Sequence, residues 1–420
     1  MKKKSSIFSI QDPEVFTSKM LNWANRFNIF SFLDNNAYAF ETPAFDWVLA
    51  AGAQDAVINH QTVDFEAVQS FQANQNGWIF GHLNYPSIQP DSLDFPAAFF
   101  FAPAVIVKRT GSEIYIETTV EDPDAILAAI QATDTKETVV VPAHLTIQSR
   151  YTKEAYIQKI EGLKQHIQRG DCYEINFCQD YFIDNATIDP VLLYRQLMVL
   201  SPNPFSALYK WNDRYCLCAS PERFLQKSGT LVTSQPIKGT AKRNLLDPAA
   251  DIASHNHLLQ SEKEKSENVM IVDLVRNDLS RVCERGSVEV KELFGIYSYP
   301  QVHQMISTIQ GRVSERLPWT EVVAACYPMG SMTGAPKLKV MELIEQFETI
   351  PRGLFSGSIG YVTPEGDFDF NVVIRSVFYH ATKKTLSFKV GSGITIKSDP
   401  LLEYEECMVK ASAILQILNG

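Results

Sequence analysis

Thr230-Leu231-Val232-Thr233-Ser234-Gln235-Pro236-Ile237-Lys238-Gly239-Thr240 joins an alternating run to a lysine that stands between a rigid and a flexible residue. The alternation predicts a β-strand that ends at Pro236. Gly239 then frees the backbone one residue after Lys238. A lysine at such a strand end can be aimed into a cavity, although a lysine in a surface turn is the more common arrangement. The rest of the chain decides between the two.

Composition limits the classes of function. The chain has 420 residues, of which 45% are hydrophobic, so it can bury a large core as one domain or as two packed ones. Its formal net charge of -10 disfavours a nucleic-acid-binding surface. The longest apolar run, Ala97 to Val107, is interrupted by Pro103 and is too short to span a bilayer. We therefore expect neither a nucleic-acid nor a membrane partner, and we expect that run to form a buried strand.

The N-terminal residues and the cysteines indicate the cellular compartment of the protein. Met1-Lys2-Lys3-Lys4 resembles the start of a signal peptide, but no apolar segment follows it. The seven cysteines form no C-x-x-C pair and their number is odd, which favours reduced thiols without a zinc site. The sequence thus predicts a cytoplasmic protein.

The chain has two regions separated by a polar seam at residues 133–150. Residues 1–145 show short strands between turns, and one helix-like stretch at Ala125 to Ala132. Residues 150–418 contain a helix capped by Thr152, strands around 172–183, 205–211, 215–219 and 222–234, a long helix at roughly 250–283, a helix starting near Ala335-Pro336, and a last helix from Asp399-Pro400. This order lacks a regular βαβ alternation. We expect an α+β (irregular α/β) fold with the two regions packed into one globular unit.

Two pairs of glutamates suggest a metal site. Glu264 and Glu267 lie three residues apart on the predicted long helix, and Glu403 and Glu406 lie three apart on the last helix, so each pair shares a helix face. Solvated helix surface is the ordinary alternative. If the two faces meet, four carboxylates converge and need a cation to offset them. An all-oxygen site of this kind suits Mg²⁺, which completes its shell with water and substrate oxygens.

Glycine-flanked turns and an arginine suggest an anion pocket. Gly330 to Lys337, which includes Ser331 and Thr333, runs into a helix and offers free backbone N–H groups without forming a Walker A loop. A second flexible turn is Gly391-Ser392-Gly393. Arg375 follows an apolar strand, a position where an arginine usually has a carboxylate partner. Together these features predict a small polyanionic substrate beside magnesium.

The ordered motifs of this region resemble the chorismate-utilising enzymes, a family that includes anthranilate, aminodeoxychorismate, isochorismate and salicylate synthases. The motifs are Ser220 to Phe224, Pro236 to Thr240, Lys265 to Val288, His303 to Ile309, Gly330 to Lys337, Gly357 to Tyr361 and Glu403 to Lys410. The first 145 residues match more loosely. The resemblance implies an anthranilate-synthase-like fold, in which large, mostly antiparallel β-sheets form a sandwich with helices packed outside.

The resemblance also implies roles for individual residues. The ring carboxylate of chorismate would lie on Mg²⁺ held by the four glutamates. Its enolpyruvyl carboxylate would be held by Tyr361, Arg375 and the backbone around Gly393. Glu222 matches the family's general acid, and His303 matches a histidine near the C4 oxygen, with a core histidine as the alternative.

Position 238 separates the family members. Anthranilate synthases carry alanine there, whereas bacterial aminodeoxychorismate synthases carry lysine, which is thought to attack C2 as the C4 hydroxyl leaves. The resemblance therefore implies amination of chorismate by ammonia to 4-amino-4-deoxychorismate, for p-aminobenzoate and folate synthesis. A lysine of ordinary pKa is almost entirely protonated at pH 7, so this role requires a lowered pKa for Lys238.

Two features qualify the resemblance. Glu174 stands where amino-transferring members have glutamine and hydrolytic or isomerising members have lysine, which speaks against isochorismate or salicylate synthase. No cysteine lies in the Gly-x-Cys-x-Gly setting of a glutamine amidotransferase. A separate amidotransferase subunit is therefore the expected source of ammonia. The alternatives are anthranilate synthase component I and a non-catalytic chorismate-binding paralogue.

Overall fold

A computed structural model of the chain describes residues 3–38, 45–89, 93–135, 145–299 and 302–419. Within these ranges the chain forms ten α-helices and twenty strands. None of the described helices combines the length and the apolar character needed to cross a membrane.

The strands are numbered in chain order. They are β1 (Lys4–Ser9), β2 (Ile29–Asp34), β3 (Trp47–Asn59), β4 (Ile79–Leu83), β5 (Ala98–Thr110), β6 (Glu113–Thr118), β7 (Gln148–Ser149), β8 (Glu174–Ile183), β9 (Phe205–Trp211), β10 (Arg214–Ser220), β11 (Arg223–Ser228), β12 (Leu231–Gln235), β13 (Ile237–Lys242), β14 (Glu289–Ser298), β15 (Val302–Arg312), β16 (Gly334–Ala335), β17 (Ser358–Val362), β18 (Phe368–Asn371), β19 (Ser376–His380) and β20 (Thr385–Thr395).

The helices are numbered in the same way. They are α1 (Pro13–Ala24), α2 (Phe65–Ala73), α3 (Pro123–Gln131), α4 (Lys153–Gln168), α5 (Pro190–Leu200), α6 (Pro248–Gln260), α7 (Glu262–Ser280), α8 (Trp319–Cys326), α9 (Lys337–Phe347) and α10 (Pro400–Asn419). A short 3-10 turn spans Gly330–Met332.

All described strand pairs are antiparallel, and they form two arms that share β5. One arm runs from β5 through β3, β2, β9, β10, β19 and β20 to β8. The other runs from β5 through β4, β17, β18, β11 and β12 to β15, which also pairs with β13 and β14. The length of β5 makes this sharing possible, because one end pairs with β6 and the other with β4.

Two hydrophobic cores follow from the alternation of side chains along these strands. In β3, Leu49 points into a core that contains residues of α1, α3, α4, α5, α9 and α10. Its neighbours Val48 and Ala50 point into a second core, which joins both arms to α2, α7 and α8. The second core contains Tyr209 from one arm and Phe370 from the other, so the arms face each other as a sandwich with helices outside. The predicted α+β fold is confirmed.

Local signals in the sequence set most element boundaries. Thr152 caps α4 by accepting a hydrogen bond from the Ala155 N–H, and Asp399 accepts from the N–H groups of Leu401 and Leu402 at the start of α10. The apolar run Ala97 to Val107 was predicted to form a buried strand, and it forms most of β5.

Two predicted elements are wrong in extent. The helix expected at roughly 250–283 is two helices, because Ser261 leaves the helical conformation and caps α7 through the Glu264 N–H. The strand expected over 222–234 is a hairpin, because Gly229 adopts a left-handed φ of 59° between β11 and β12.

The two predicted regions share one sheet system. Strands β2 and β4 of the first 145 residues pair with β9 and β17 of the second region. Residues 136–144 of the predicted seam lie outside the described residues, so the boundary itself stays a prediction.

Arg352 is a buried link between three segments. Its guanidinium donates to the backbone oxygens of Met332 (2.6 Å) and Asn176 (2.8 Å) and pairs with Glu348 (2.6 Å). The link therefore joins the 3-10 turn, β8 and the end of α9. Removing the guanidinium leaves the buried Glu348 carboxylate without a cation, with only the Cys178 N–H, among the described residues, still donating to it, and takes one donor away from each of the two carbonyls.

We expect Arg352→Met to lower the free energy of unfolding by about 3–5 kcal/mol, because breaking a buried pair leaves its partner uncompensated. Urea unfolding followed by circular dichroism measures the change. Arg276→Met is the matched control, since Arg276 forms an exposed pair with Asp273 that is worth at most about 1 kcal/mol. Equal effects of the two substitutions would show that the Arg352 link does not hold these segments.

Candidate active site

A cavity of about 100 Å³ lies where β13, β15 and β20 meet α7, α10 and the 3-10 turn. It brings together residues that are far apart in the sequence. The predicted site residues that line it are Glu222, Lys238, Glu264, Glu267, Ser331, Arg375, Gly391, Gly393 and Glu406. We call this cavity the catalytic pocket.

Lys238 lies in this pocket and not in a surface turn. It is 8% exposed, and its Nζ donates to Glu174 Oε1 at 2.5 Å. Glu174 is 1% exposed, and its other oxygen has no hydrogen-bond partner among the described residues. Gly393 lies against both groups, because a Cβ there would come within 2.7 Å of the Lys238 nitrogen and 2.9 Å of Glu174 Oε1.

The electrostatics of Lys238 differ from the sequence-based expectation. Burial lowers its pKa, but the negative charges of Glu174 and Glu267 more than offset burial, so the pKa lies above the usual range of lysine. The protein residues alone therefore keep Lys238 protonated at neutral pH. Glu174 is the acceptor in contact with its ammonium group.

Glu222 lies in the same pocket as a buried acid. Burial raises its pKa to about 7, while Ser331 and Lys238 act to lower it. Its backbone N–H is held by the Ser220 hydroxyl at 3.2 Å. A carboxyl group with this pKa is partly protonated at neutral pH and can donate a proton to a leaving group.

Arg375 supplies an unpaired cation. Its φ is +52°, an uncommon conformation for a residue with a side chain, at the end of the segment that precedes β19. The carboxylate partner expected from the sequence is absent: among the described residues, its guanidinium makes no ion pair within 4 Å. Burial lowers its pKa, and Glu406 and Glu222 oppose that effect from further away. An anionic ligand would complete this environment.

Three of the four predicted metal-binding glutamates line the pocket. Burial raises the pKa of Glu267 to about 8 and that of Glu264 above its usual range, with repulsion between carboxylates contributing to both. Glu406 is paired with Lys410 at 2.7 Å, and the pKa of Glu406 falls to about 2 mainly for that reason. The fourth, Glu403, is buried but does not line the pocket.

Lysines neutralise this acidic cluster in the structure. Lys263 Nζ lies 3.1 Å from Glu403 and 3.9 Å from Glu267. In the part of the chain that the structure describes, no three acidic, histidine or cysteine side chains are arranged to hold a metal ion. The donor set is nevertheless all carboxylate, and Glu267 Oε1 is buried without a hydrogen-bond partner in those residues. Carboxylate oxygens are the ligands that a hard divalent cation prefers, so these glutamates are suitable ligands wherever the lysines do not pair with them.

Two expected substrate contacts lie outside the pocket. Tyr361 stacks on Trp78, with ring centroids 4.9 Å apart, in a different cavity. Tyr361 therefore does not line the catalytic pocket, because its position in β17 directs its ring to that other cavity, and its expected contact with the substrate stays a prediction. The aromatic residue that does line the catalytic pocket is Phe355.

His303 is also displaced from the expected position. Its Nδ1 is 2.8 Å from the Ser298 hydroxyl, and its Nε2 is 3.3 Å from Asp251. The next residue, Gln304, lines the pocket instead, since neighbours on a strand point to opposite sides. Gln304 is buried and its Oε1 has no hydrogen-bond partner within the described residues. His303 therefore does not line the catalytic pocket, and its expected role at the C4 oxygen stays a prediction.

Thr333 and Lys337 have structural contacts. The Thr333 hydroxyl donates to the backbone oxygens of Met329 and Gly330. The Lys337 ammonium donates to Asp278 and to the Cys326 oxygen. Neither lines the catalytic pocket, so the anion-binding turn contributes Ser331 alone among the three predicted side chains.

The pocket also contains residues that were not among the predicted site residues. They include Asn176, Gln304, Phe355, Lys389 and Lys410. Asn176 lies two residues after Glu174 in β8, and Lys410 lies one helical turn after Glu406. Both could therefore have been predicted from the neighbouring residues. An acid–lysine pair, a proton donor and an arginine without an ion-pair partner among the described residues surround one cavity, an arrangement typical of an enzyme site for an anionic substrate.

Comparison with known proteins agrees with this class. The sequence pattern of the chorismate binding enzymes matches residues 31–416. The chain is 36% identical over 352 residues to aminodeoxychorismate synthase component 1 of Klebsiella aerogenes, covering 82% of this chain and 75% of that protein. It is 39% identical over 276 residues to aminodeoxychorismate synthase of Streptomyces pristinaespiralis, covering 66% of this chain but 38% of that protein.

A solved structure supports the fold. Anthranilate synthase component I from Streptococcus pneumoniae TIGR4 matches with a TM-score of 0.77 at 23% identity, covering 91% of this chain and 94% of that one. At this identity the likeness concerns the fold alone. Together with the sequence match, it leads to a plain statement: the chain belongs to the family of chorismate binding enzymes.

We expect Glu174→Gln to lower the pKa of Lys238, because the amide keeps the hydrogen bond but removes the nearest negative charge. Titration of the lysine side-chain signals by NMR, with Lys238 assigned through Lys238→Arg, measures the change. Glu342→Gln is the control, since Glu342 pairs with Lys339 on the surface. An unchanged or raised pKa of Lys238 in Glu174→Gln would contradict the assigned electrostatics.

Proposed function

We propose that the chain is the chorismate-converting component of an aminodeoxychorismate synthase, which combines chorismate and ammonia into 4-amino-4-deoxychorismate. The observation that carries the proposal is the position of Lys238, buried in the catalytic pocket beside an acid and an unpaired arginine. The names of the Klebsiella and Streptomyces relatives support the same reaction. The product would serve p-aminobenzoate and folate synthesis.

Chorismate is a dicarboxylate, and the pocket offers two separate positions for its carboxylates. Arg375, with the backbone near Gly393, holds the enolpyruvyl carboxylate by charge-assisted hydrogen bonds. Glu264, Glu267 and Glu406, with Glu403 behind them, are the residues that would hold Mg²⁺ in place of their present pairing with Lys263 and Lys410. Mg²⁺ bound there would supply positive charge that balances the ring carboxylate and the glutamates.

The pocket residues then carry the proton transfers. Lys238 passes a proton to Glu174, the acceptor it contacts, and its neutral amine attacks C2 of chorismate. The two conjugated ring double bonds shift, and the C4 hydroxyl leaves as water with the proton of Glu222. Ammonia then attacks C4, both double bonds shift back, and the Lys238 amine leaves C2. Glu174 returns its proton to Lys238, and the new ammonium group gives a proton to Glu222, which restores the starting charges.

Glu174 and Gln304 each contribute an acceptor oxygen to the proposed reaction. The carboxylate of Glu174 lies in contact with the proposed nucleophile, so it serves both to hold Lys238 and to accept its proton. The unpartnered Gln304 oxygen can accept a hydrogen bond from the substrate hydroxyl or from ammonia. The nitrogen source in this proposal is a separate glutamine amidotransferase subunit, which free ammonium replaces in vitro.

Product identification tests the proposed function. With chorismate, Mg²⁺ and ammonium, the chain should form a compound that retains the enolpyruvyl group and that an aminodeoxychorismate lyase converts to p-aminobenzoate. Lys238→Ala should lower the rate by at least about 100-fold, the scale of a lost catalytic group. Lys389→Met controls for loss of a pocket cation, since Lys389 pairs with Asp180. Direct formation of anthranilate would contradict the proposal and favour anthranilate synthase; no turnover under any condition would favour a chorismate-binding paralogue.

We expect the rate to fall as the pH rises through about 7, because Glu222 is active only when protonated and its pKa is raised to about 7. In Glu222→Gln this falling limb should disappear and the maximal rate should drop about 100- to 10,000-fold. A pH profile of kcat with saturating chorismate and with ammonia held at constant concentration of its neutral form measures both. A wild-type profile that is flat from pH 6 to about 9 would exclude Glu222 as the acid.

A further inference from the structure

Lys263 lies between two carboxylates of the proposed metal site. Its Nζ donates to Glu403 Oε1 at 3.1 Å and lies 3.9 Å from Glu267 Oε1. Both glutamate side chains are almost inaccessible to water, whereas the side chain of Lys263 is 39% exposed. A partly exposed ammonium group therefore provides positive charge to a buried carboxylate of α7 and to one of α10.

The helix itself disfavours a lysine at this position. Lys263 is the second residue of α7, directly after Glu262 and close to the capping Ser261. The N-terminal turn of a helix carries a partial positive charge, which favours acidic side chains there and disfavours lysine. The two glutamates offset this cost, so the charge of Lys263 stabilises the acidic cluster and not the helix that carries it.

Lys263 satisfies the two carboxylates unequally. Its distance to Glu403 is that of a hydrogen bond, but the distance to Glu267 is too long for one. Glu267 Oε1 is buried and has no hydrogen-bond partner within the described residues. A small ion can bind oxygens of several carboxylates at once, at about 2.1 Å for Mg²⁺. A divalent cation would therefore satisfy Glu267 and Glu403 better than Lys263 does.

The second lysine of the cluster has a different environment. Lys410 pairs with Glu406 at 2.7 Å and also donates to the Gly391 oxygen at 3.0 Å. It therefore keeps a partner inside the protein when Glu406 binds another cation. Lys263 donates to no group besides Glu403 in the part of the chain that the structure describes, and it is the more exposed of the two lysines. Lys263 can thus leave the cluster by turning its side chain into solvent.

We propose that Lys263 competes with the divalent cation for Glu267 and Glu403 and thereby sets the affinity of the metal site. A cation that binds these carboxylates must displace the ammonium group, and the loss of that ion pair weakens the observed binding. The same ammonium group reduces the repulsion between the buried carboxylates before a cation binds. The inference rests on the metal site of the proposed function, but not on the amination chemistry.

Titration of the full chain with Mn²⁺ tests this competition without turnover. Mn²⁺ prefers the same oxygen ligands as Mg²⁺, and the EPR signal of the free ion measures how much is bound. Lys263→Met should bind Mn²⁺ at least about tenfold more tightly than the wild type, because no internal cation opposes the metal. Lys263→Arg keeps the positive charge and should bind Mn²⁺ within about threefold of the wild type.

Lys265→Met is the matched control. Lys265 lies two residues further along α7 and pairs with the exposed Glu262, which is outside the cluster. This variant removes the same charge from the same helix, so it measures the general effect of a more negative protein on cation binding. Its affinity for Mn²⁺ should change less than about twofold, because salt screens charges at the surface.

Thermal unfolding provides a second readout. Without a metal, Lys263→Met should melt at a lower temperature than the wild type, because the carboxylates then repel one another. A fixed concentration of Mg²⁺ should raise the melting temperature of Lys263→Met more than that of the wild type, since a tighter ligand stabilises the folded state more. A Lys263→Met protein that folds only with Mg²⁺ would support the inference in the same way.

Three results would overturn the inference alone. They are equal Mn²⁺ affinity of the wild type and Lys263→Met, weaker binding by Lys263→Met, and an equal gain in Lys265→Met, which would assign the effect to overall charge. Absence of Mn²⁺ binding in both the wild type and Lys263→Met would overturn the inference together with the metal site of the proposed function.

Discussion

The buried ion pair between Lys238 and Glu174 is the constraint around which the site is built. A lysine and a glutamate that are both almost inaccessible to water must match each other closely, because an unpaired buried charge is costly. The pair connects β13 of one arm to β8 of the other, so it also fixes how the ends of the arms meet. Gly393 lies against the pair, and a Cβ there would force both charged groups to shift.

The surrounding charges follow from the same constraint. Gly239, with a φ of +93°, brings the backbone next to Lys238 so close to Glu264 that a Cβ would lie 3.0 Å from its carboxylate. The carboxylates of α7 and α10 therefore surround the lysine, and Lys263 and Lys410 partly neutralise them. Among the residues that the structure describes, Arg375 is left without an ion-pair partner in the same pocket.

The features predicted correctly from the sequence are those that depend on neighbouring residues or on the order of motifs along the chain. Helix starts at Thr152 and Asp399 depend on a capping side chain, and the α+β order follows from strand and helix patterns. Both glutamate pairs were found from helical spacing.

The break at Ser261 was missed because a serine within a polar helical pattern fits both a helix interior and a cap. The sequence did not predict on which side of their strands His303 and Tyr361 lie relative to the catalytic pocket, because a shift of one residue reverses every side chain and only the pairing register decides it. The contact between Glu174 and Lys238 joins distant strands, so no local pattern contains it.

The central claim is that Lys238 is a nucleophile and not only a pocket cation. Intact-protein mass spectrometry after incubation with chorismate and Mg²⁺, without ammonia, tests it most directly. The account predicts an added mass equal to chorismate minus water, located on Lys238 by peptide mapping and removed when ammonium is supplied. Absence of this adduct in an enzyme that turns over chorismate with ammonium, or an adduct that persists in Lys238→Ala, would contradict it.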